Sequence, residues 1–150
     1  QVPLDYKSRA VLISYYLQTT QEKAIPFLEM NIQQDPSDLD SINNYIWLLN
    51  EQGESAKALN MSEPLLAATK KPAHLHTVAT VLIKNGKIEA AEKAFQKMMN
   101  YEPTNELKYS YLKFLNDYEM KADLQNQIKQ EIFNTDNETL KNQVRELLIK

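Results

Sequence analysis

Apolar residues recur along this chain at helical spacing. Leu39, Ile42, Ile46 and Leu49 form one run, Leu75, Val78, Ala79 and Leu82 a second, and Ile88, Ala91, Phe95 and Met98 a third. Spacing of three and four residues puts each set on one face of an α-helix. A mostly apolar stretch over residues 5–18 (Tyr6, Ala10, Val11, Ile13, Tyr15, Leu17) predicts a helix before these. Weaker patterns follow at Leu107, Tyr111, Leu112 and Leu115, at Leu124, Ile128 and Ile132, and at Leu140, Val144, Leu147 and Leu148. Seven or more helices are expected, eight or nine if every segment holds. Two- to five-residue loops between them make neighbours antiparallel.

Polar punctuation sets the expected ends. Thr19-Thr-Gln-Glu22 and Thr135-Asp-Asn-Glu138 read as capping boxes, and Ser37 as a serine cap with acids in the first turn. Asn50-Glu-Gln-Gly53 and Asn85-Gly86 supply glycines for left-handed helix ends. Asp35-Pro36 and Glu102-Pro103 stop the helices before them. Pro26 and Pro64 fall inside predicted second helices and are expected to bend them; alternatively Pro64 splits its helix and delays Pro72.

The segments repeat. Ala24, Ala58 and Ala91 lie 34 and 33 residues apart, each at the same point of a similar phrase. The clearest copy is Gly86-Lys-Ile-Glu-Ala-Ala91-Glu-Lys-Ala-Phe95, closing at Pro103. A fixed period of this length means stacked supersecondary elements, each unable to bury its apolar face alone. Counted from Pro72, the third copy places Ala79, Gly86, Ala91, Phe95 and Pro103 where the tetratricopeptide repeat carries its small, glycine, alanine, aromatic and proline residues. The chain resembles that family closely over residues 5–105 and loosely over 106–134. The resemblance implies an all-α fold, a right-handed α-α superhelix of about four helix pairs. Residues 1–150 would form a single domain with repeats near 5–38, 39–71, 72–105 and 106–134 and a capping helix near 136–149.

In the family the first helix of each pair lines a concave groove. Carried onto this chain, with the first copy counted from Asp5 and the fourth from Glu106, the groove positions include Arg9, Ile13, Tyr16, Asn43, Asn44, Trp47, His76, Thr80, Tyr111 and Phe114. Trp47, Tyr16 and Asn44 stand out, because aromatic anchors and amides suit peptide recognition. The carboxylate clamp of some family members is missing: only Asn44 is in place, with Arg9 for the first lysine and Ile13, Ala73 and Thr77 at the rest.

Composition removes other classes. A net charge of −3 from 17 basic and 20 acidic residues, with no basic block, argues against nucleic acid as a partner. There is no cysteine and no apolar run near 18 residues, so neither thiolate chemistry, disulfides nor membrane insertion is expected. His74 and His76 point about 200° apart on a helix and are read as exposed, not as metal ligands. Asn31, Gln33, Gln34 and Gln125-Asn-Gln are read as solvated surface. No phosphate loop, H-E-x-x-H or G-x-S-x-G occurs, so neither cofactor nor catalysis is expected. The sequence therefore predicts a non-catalytic module that binds a protein or peptide. The alternative is an accessory domain of a larger enzyme or of a secretion or assembly protein, since the chain starts at Gln1. Self-association through Tyr111, Phe114 and Tyr118 is a further expectation. The compartment is open between cytoplasmic and periplasmic or secreted.

Overall fold

The computed structural model describes residues 4–147. Its helices are α1 (Tyr6–Thr19), α2 (Ile25–Gln34), α3 (Leu39–Glu51), α4 (Ser55–Ala68), α5 (Pro72–Lys84), α6 (Ile88–Met99), α7 (Asn105–Asp117), α8 (Ala122–Phe133) and α9 (Glu138–Leu147). A 3-10 turn, Gln21–Ala24, leads into α2. No strand occurs among the described residues. Leu148, which the sequence assigns to the last helix, lies outside them.

The helices pair in order, α1 with α2, α3 with α4, α5 with α6 and α7 with α8, and α9 lies across α7 and α8. One continuous apolar core runs through the stack, from Ile13, Ala24 and Leu28 through Ile46, Leu65, Leu75 and Phe95 to Ile128 and Val144. Each such large side chain, fully buried, contributes about 1.5–3 kcal/mol. Ala24, Ala58 and Ala91 are completely buried, as close approach of paired helices requires.

A stricter period than the alanines appears at the helix starts. The residues before α1, α3, α5 and α7 are Asp5, Asp38, Lys71 and Thr104, each 33 apart, and 33 further lies Asn137, before α9. Four of the five cap the third backbone N–H with a side-chain oxygen: Asp5 accepts from Ser8, Asp38 from Ser41, Thr104 from Leu107 and Asn137 from Leu140. Such bonds satisfy donors the helix start leaves free. Lys71 precedes Pro72, whose missing N–H is one of those donors. The turns keep the same period: Gly53, Gly86 and Glu119 all have positive φ, at +84°, +72° and +53°. The longer 34-residue step from Ala24 to Ala58 arises because Ala24, at the end of the 3-10 turn, comes one residue sooner after its cap Asp5 than Ala58 and Ala91 come after Asp38 and Lys71.

Several expected ends differ. Thr19 does not cap; it is the last residue of α1 and donates to the Tyr15 carbonyl at 2.9 Å. Asp38, not Ser37, caps α3, while Ser37 donates to Asp35. Asn137, not Thr135, caps α9, while Thr135 donates to the Ile132 carbonyl. In each case the displaced hydroxyl closes on a nearby local acceptor. Pro26 sits in the first turn of α2, where its lack of N–H costs nothing. Pro64 lies inside α4, which nevertheless runs unbroken from Ser55 to Ala68.

Candidate functional site

Between α5 and α7 opens a cleft of about 500 Å³, lined by His76, Thr80, Ile83, Tyr109, Ser110, Lys113, Phe114, Asp117 and Tyr118, with Phe95 of α6 beneath. Helical spacing builds both walls. His76, Thr80 and Ile83 rise from α5 at steps of four and three, and Tyr109, Lys113 and Asp117 rise from α7 at steps of four. The floor is aromatic. The Phe95 ring stacks on Tyr111 at 5.0 Å, meets Phe114 at 5.1 Å, and Phe114 meets Tyr118 at 5.0 Å. Offset and tilted pairs of this kind add stability beyond area burial and hold the rings rigid.

The rim is polar. Lys113 and Asp117 form an i, i+4 ion pair at 2.8 Å. The Thr80 hydroxyl donates back to the His76 carbonyl and the Ser110 hydroxyl to the Glu106 carbonyl. The His76 ring lies 6.3 Å from Phe95, and burial lowers its pKa, which favours the neutral imidazole. The cleft thus offers an aromatic bed edged by one neutral imidazole and a balanced charge pair.

The sequence-selected groove residues divide into three groups. His76, Thr80 and Phe114 meet in this cleft, with Tyr111 packed under its floor. Asn43, Asn44 and Trp47 lie half-buried on α3, outside it. The Asn43 Oδ1 and the neighbouring Asn50 Oδ1 are buried with no hydrogen-bond partner among the described residues. In the first pair, Tyr16 is half-buried and stacks on Phe27 at 6.0 Å, while Ile13 is core. Arg9 is buried as well. Its Nε donates to Asn31 Oδ1 at 2.6 Å, one terminal nitrogen donates to the Leu4 carbonyl at 2.5 Å and the other to Gln34 Oε1. That guanidinium clasps α1 to α2. Tyr109, Lys113 and Phe95, which sequence reasoning did not select for a groove, complete the cleft.

The histidine pair and the polar surface readings need correction. His74 is buried, its Nδ1 2.8 Å from the Thr69 hydroxyl and its Nε2 2.8 Å from Asp40 Oδ1. Because Asp40 accepts, Nε2 carries the proton and Nδ1 accepts from Thr69, whose oxygen in turn accepts the Lys71 N–H. Burial pushes the His74 pKa down, against the pull of Asp40. The bond from Lys71, with that from His74, keeps Asp40 below the usual carboxylate range. Asn31 is also buried and donates to Ser41, and Gln125 is buried and donates to the Leu115 and Met120 carbonyls. Among the described residues, no group of three or more His, Cys, Asp or Glu is placed to hold a metal, and no helix is long and apolar enough to cross a membrane.

No protein-family model and no curated protein matches the sequence. Solved structures do match. A tetratricopeptide repeat protein from Parabacteroides merdae superposes with a TM-score of 0.73 at 16% identity, over 95% of this chain and 59% of its own. This chain is a tetratricopeptide-repeat-like helical solenoid. A chain in the structure of Naa15/Naa10 bound to HypK-THB matches with a TM-score of 0.69 at 15% identity, over 93% of this chain and 22% of that one. YrrB, described as a TPR protein with an unusual peptide-binding site, matches with a TM-score of 0.66 at 19% identity, over 85% of this chain and 65% of its own. The solenoid here thus spans less than two thirds of each of these three chains.

Proposed function

We propose that this solenoid is a non-catalytic scaffold that binds a protein or peptide segment along the face formed by α3, α5 and α7. The observation that carries this reading is the α5–α7 cleft, whose aromatic floor and polar rim are suited to one apolar or aromatic side chain of an extended segment. Asn43, Asn44 and Trp47 continue the same face towards α1; the asparagines offer amides and Trp47 an indole N–H for the segment's backbone. The fold is shared with YrrB, described as having a peptide-binding site, and with a chain in a complex containing HypK-THB, and these give the reading a precedent in kind. A role as one module of a longer enzyme or assembly protein is the second reading, favoured by the 22% span of the chain in the Naa15/Naa10 complex.

The test is selection of random peptides on the purified protein, followed by titration of the winners against Tyr118→Ser and Lys113→Ala. Tyr118 and Lys113 are exposed, so both variants should fold. Loss of an aromatic anchor should weaken binding at least about tenfold, equivalent to ~1.4 kcal/mol. Selected peptides that bind both variants as tightly as wild type would place the site elsewhere.

A further inference from the structure

Because the pairs repeat, equivalent positions in successive pairs can be laid over one another. Seven residues after each cap stand Tyr45, Val78 and Tyr111, 33 apart and all buried. The Tyr45 ring rises from α3 into the space between α2 and α4. Its hydroxyl donates to Glu29 Oε1 of α2 at 2.9 Å, and Lys57 Nζ of α4 lies 5.6 Å from the ring centre. One pair further along, the ring and its cover are both cut back: Val78 stands for Tyr45 and Ala90 for Lys57. The carboxylate is kept. Glu63 comes five residues after Ala58, as Glu29 comes five after Ala24.

A cavity of about 420 Å³ opens where the ring would be. It lies between α4 and α6, over α5. Leu59 and Leu66 belong to one wall, Ala90 to the other, Val78 and Leu82 to the floor, and Glu63 to the mouth. Glu63 is exposed and Leu59, Leu66 and Ala90 are half-buried, so the space is reached from solvent. It shares no lining residue with the α5–α7 cleft. At the next interface Tyr111 supplies the ring again, and the Lys108–Glu131 ion pair at 3.0 Å bridges α7 and α8 beside it. The middle interface alone of these three lacks the ring.

We propose that the α4–α6 cavity binds a small free phenol with an apolar substituent para to its hydroxyl. Such a molecule is the missing tyrosine side chain, detached. Its hydroxyl donates to the Glu63 carboxylate, and its ring lies among Leu59, Leu66 and Ala90. Its para substituent takes the place of the tyrosine Cβ, above Val78 and Leu82. A mostly apolar hollow with one polar group at a fixed point is the general form of a small-ligand site, and hollows lined by aliphatic side chains take up aromatic rings. The orientation decides the source. With the hydroxyl at the mouth, the para carbon faces the buried floor, where no polypeptide can pass, so the ring belongs to a free molecule and not to a partner's tyrosine.

Titration of isotope-labelled protein with p-cresol, followed by NMR, tests this. Amides of Val78, Leu82 and Ala90 should shift saturably, with a dissociation constant of about 0.1–1 mM. Toluene lacks only the hydroxyl and should bind at least about threefold more weakly, because a hydrogen bond to a charged acceptor is lost. Glu63→Leu, at an exposed position that leaves the fold intact, should abolish that difference. Val78→Tyr should fill the cavity from within, as Tyr45 fills its own interface, and remove p-cresol binding while the helical circular dichroism is kept. N-acetyltyrosinamide should not bind. No saturable shift at these amides up to about 10 mM p-cresol would overturn the proposal. So would toluene or N-acetyltyrosinamide binding as tightly as p-cresol, or a folded Val78→Tyr that binds p-cresol unchanged.

Discussion

Single residues carry the clearest stability signals. Glu119 occupies the turn position that Gly53 and Gly86 fill after α3 and α5, with φ of +53°. A left-handed conformation costs an L-residue about 1–2 kcal/mol, and glycine's greater unfolded-state freedom returns part of that. Glu119→Gly should stabilise the protein by about 0.5–1 kcal/mol, raising its melting temperature by roughly 1–4 °C. A drop in melting temperature would mean that the Glu119 side chain makes a contact worth more than the strain. The caps give the opposite prediction. Asn137→Ala removes the acceptor for Leu140 N–H, made at 2.9 Å, and should cost about 1 kcal/mol, read from chemical denaturation. An unchanged midpoint would show that the start of α9 contributes nothing to global stability.

At the scale of helices, buried polar links join neighbours where apolar packing alone leaves a loop to be placed. The Thr69–His74–Asp40 chain ties the α4–α5 loop to α3, and burial favours the neutral histidine in it. Burial lowers the folded-state pKa of His74 below its ordinary 6.5, and burial does the same for His76. The unfolded chain then takes up protons that the folded one resists. The stabilisation is complete above pH 6.5 and is lost as pH falls through the depressed folded values. Melting temperature should therefore fall between about pH 7 and pH 5, before most carboxylates titrate, and His74→Gln should flatten that slope. An identical slope in the variant would sink the assignment. The helices themselves were legible in the sequence, because three-four spacing and Gly and Pro ends are local properties. Their phase was less so. Counting from Asp5 and Glu106 sets each of those pairs one residue off the caps at Asp5 and Thr104. One residue rotates a helix by 100°, which turned Arg9 and Ile13 towards the groove on paper and passed over Tyr109 and Lys113. The side-chain oxygens at Asp5, Asp38, Thr104 and Asn137, spaced at multiples of 33, were the available signal. The burial of His74, Asn31 and Gln125 left none, since each depends on a residue at least five positions away.

At the scale of the molecule, a stack of pairs stabilises itself through neighbours only, so damage should stay near where it is made. This also explains why Tyr111 and Phe114, expected as a self-association surface, are buried: each lies between its own helix and α6, leaving only Tyr118 of that trio exposed. The α9 end tests the principle. Val144 is fully buried where α9 lies on α7 and α8, and an unpaired carboxylate there cannot be accommodated without moving the helix. Val144→Asp should detach α9 and loosen α7 and α8. Native-state hydrogen exchange should then speed up by at least about a hundredfold at amides of α7 to α9, while α3 to α5 change by less than about threefold. In a nearest-neighbour stack the lost interface weakens only the helices it touched. If protection instead fell equally from α3 to α9, these helices would be one cooperative body, and the repeat period, though present in the caps and turns, would not divide the molecule energetically.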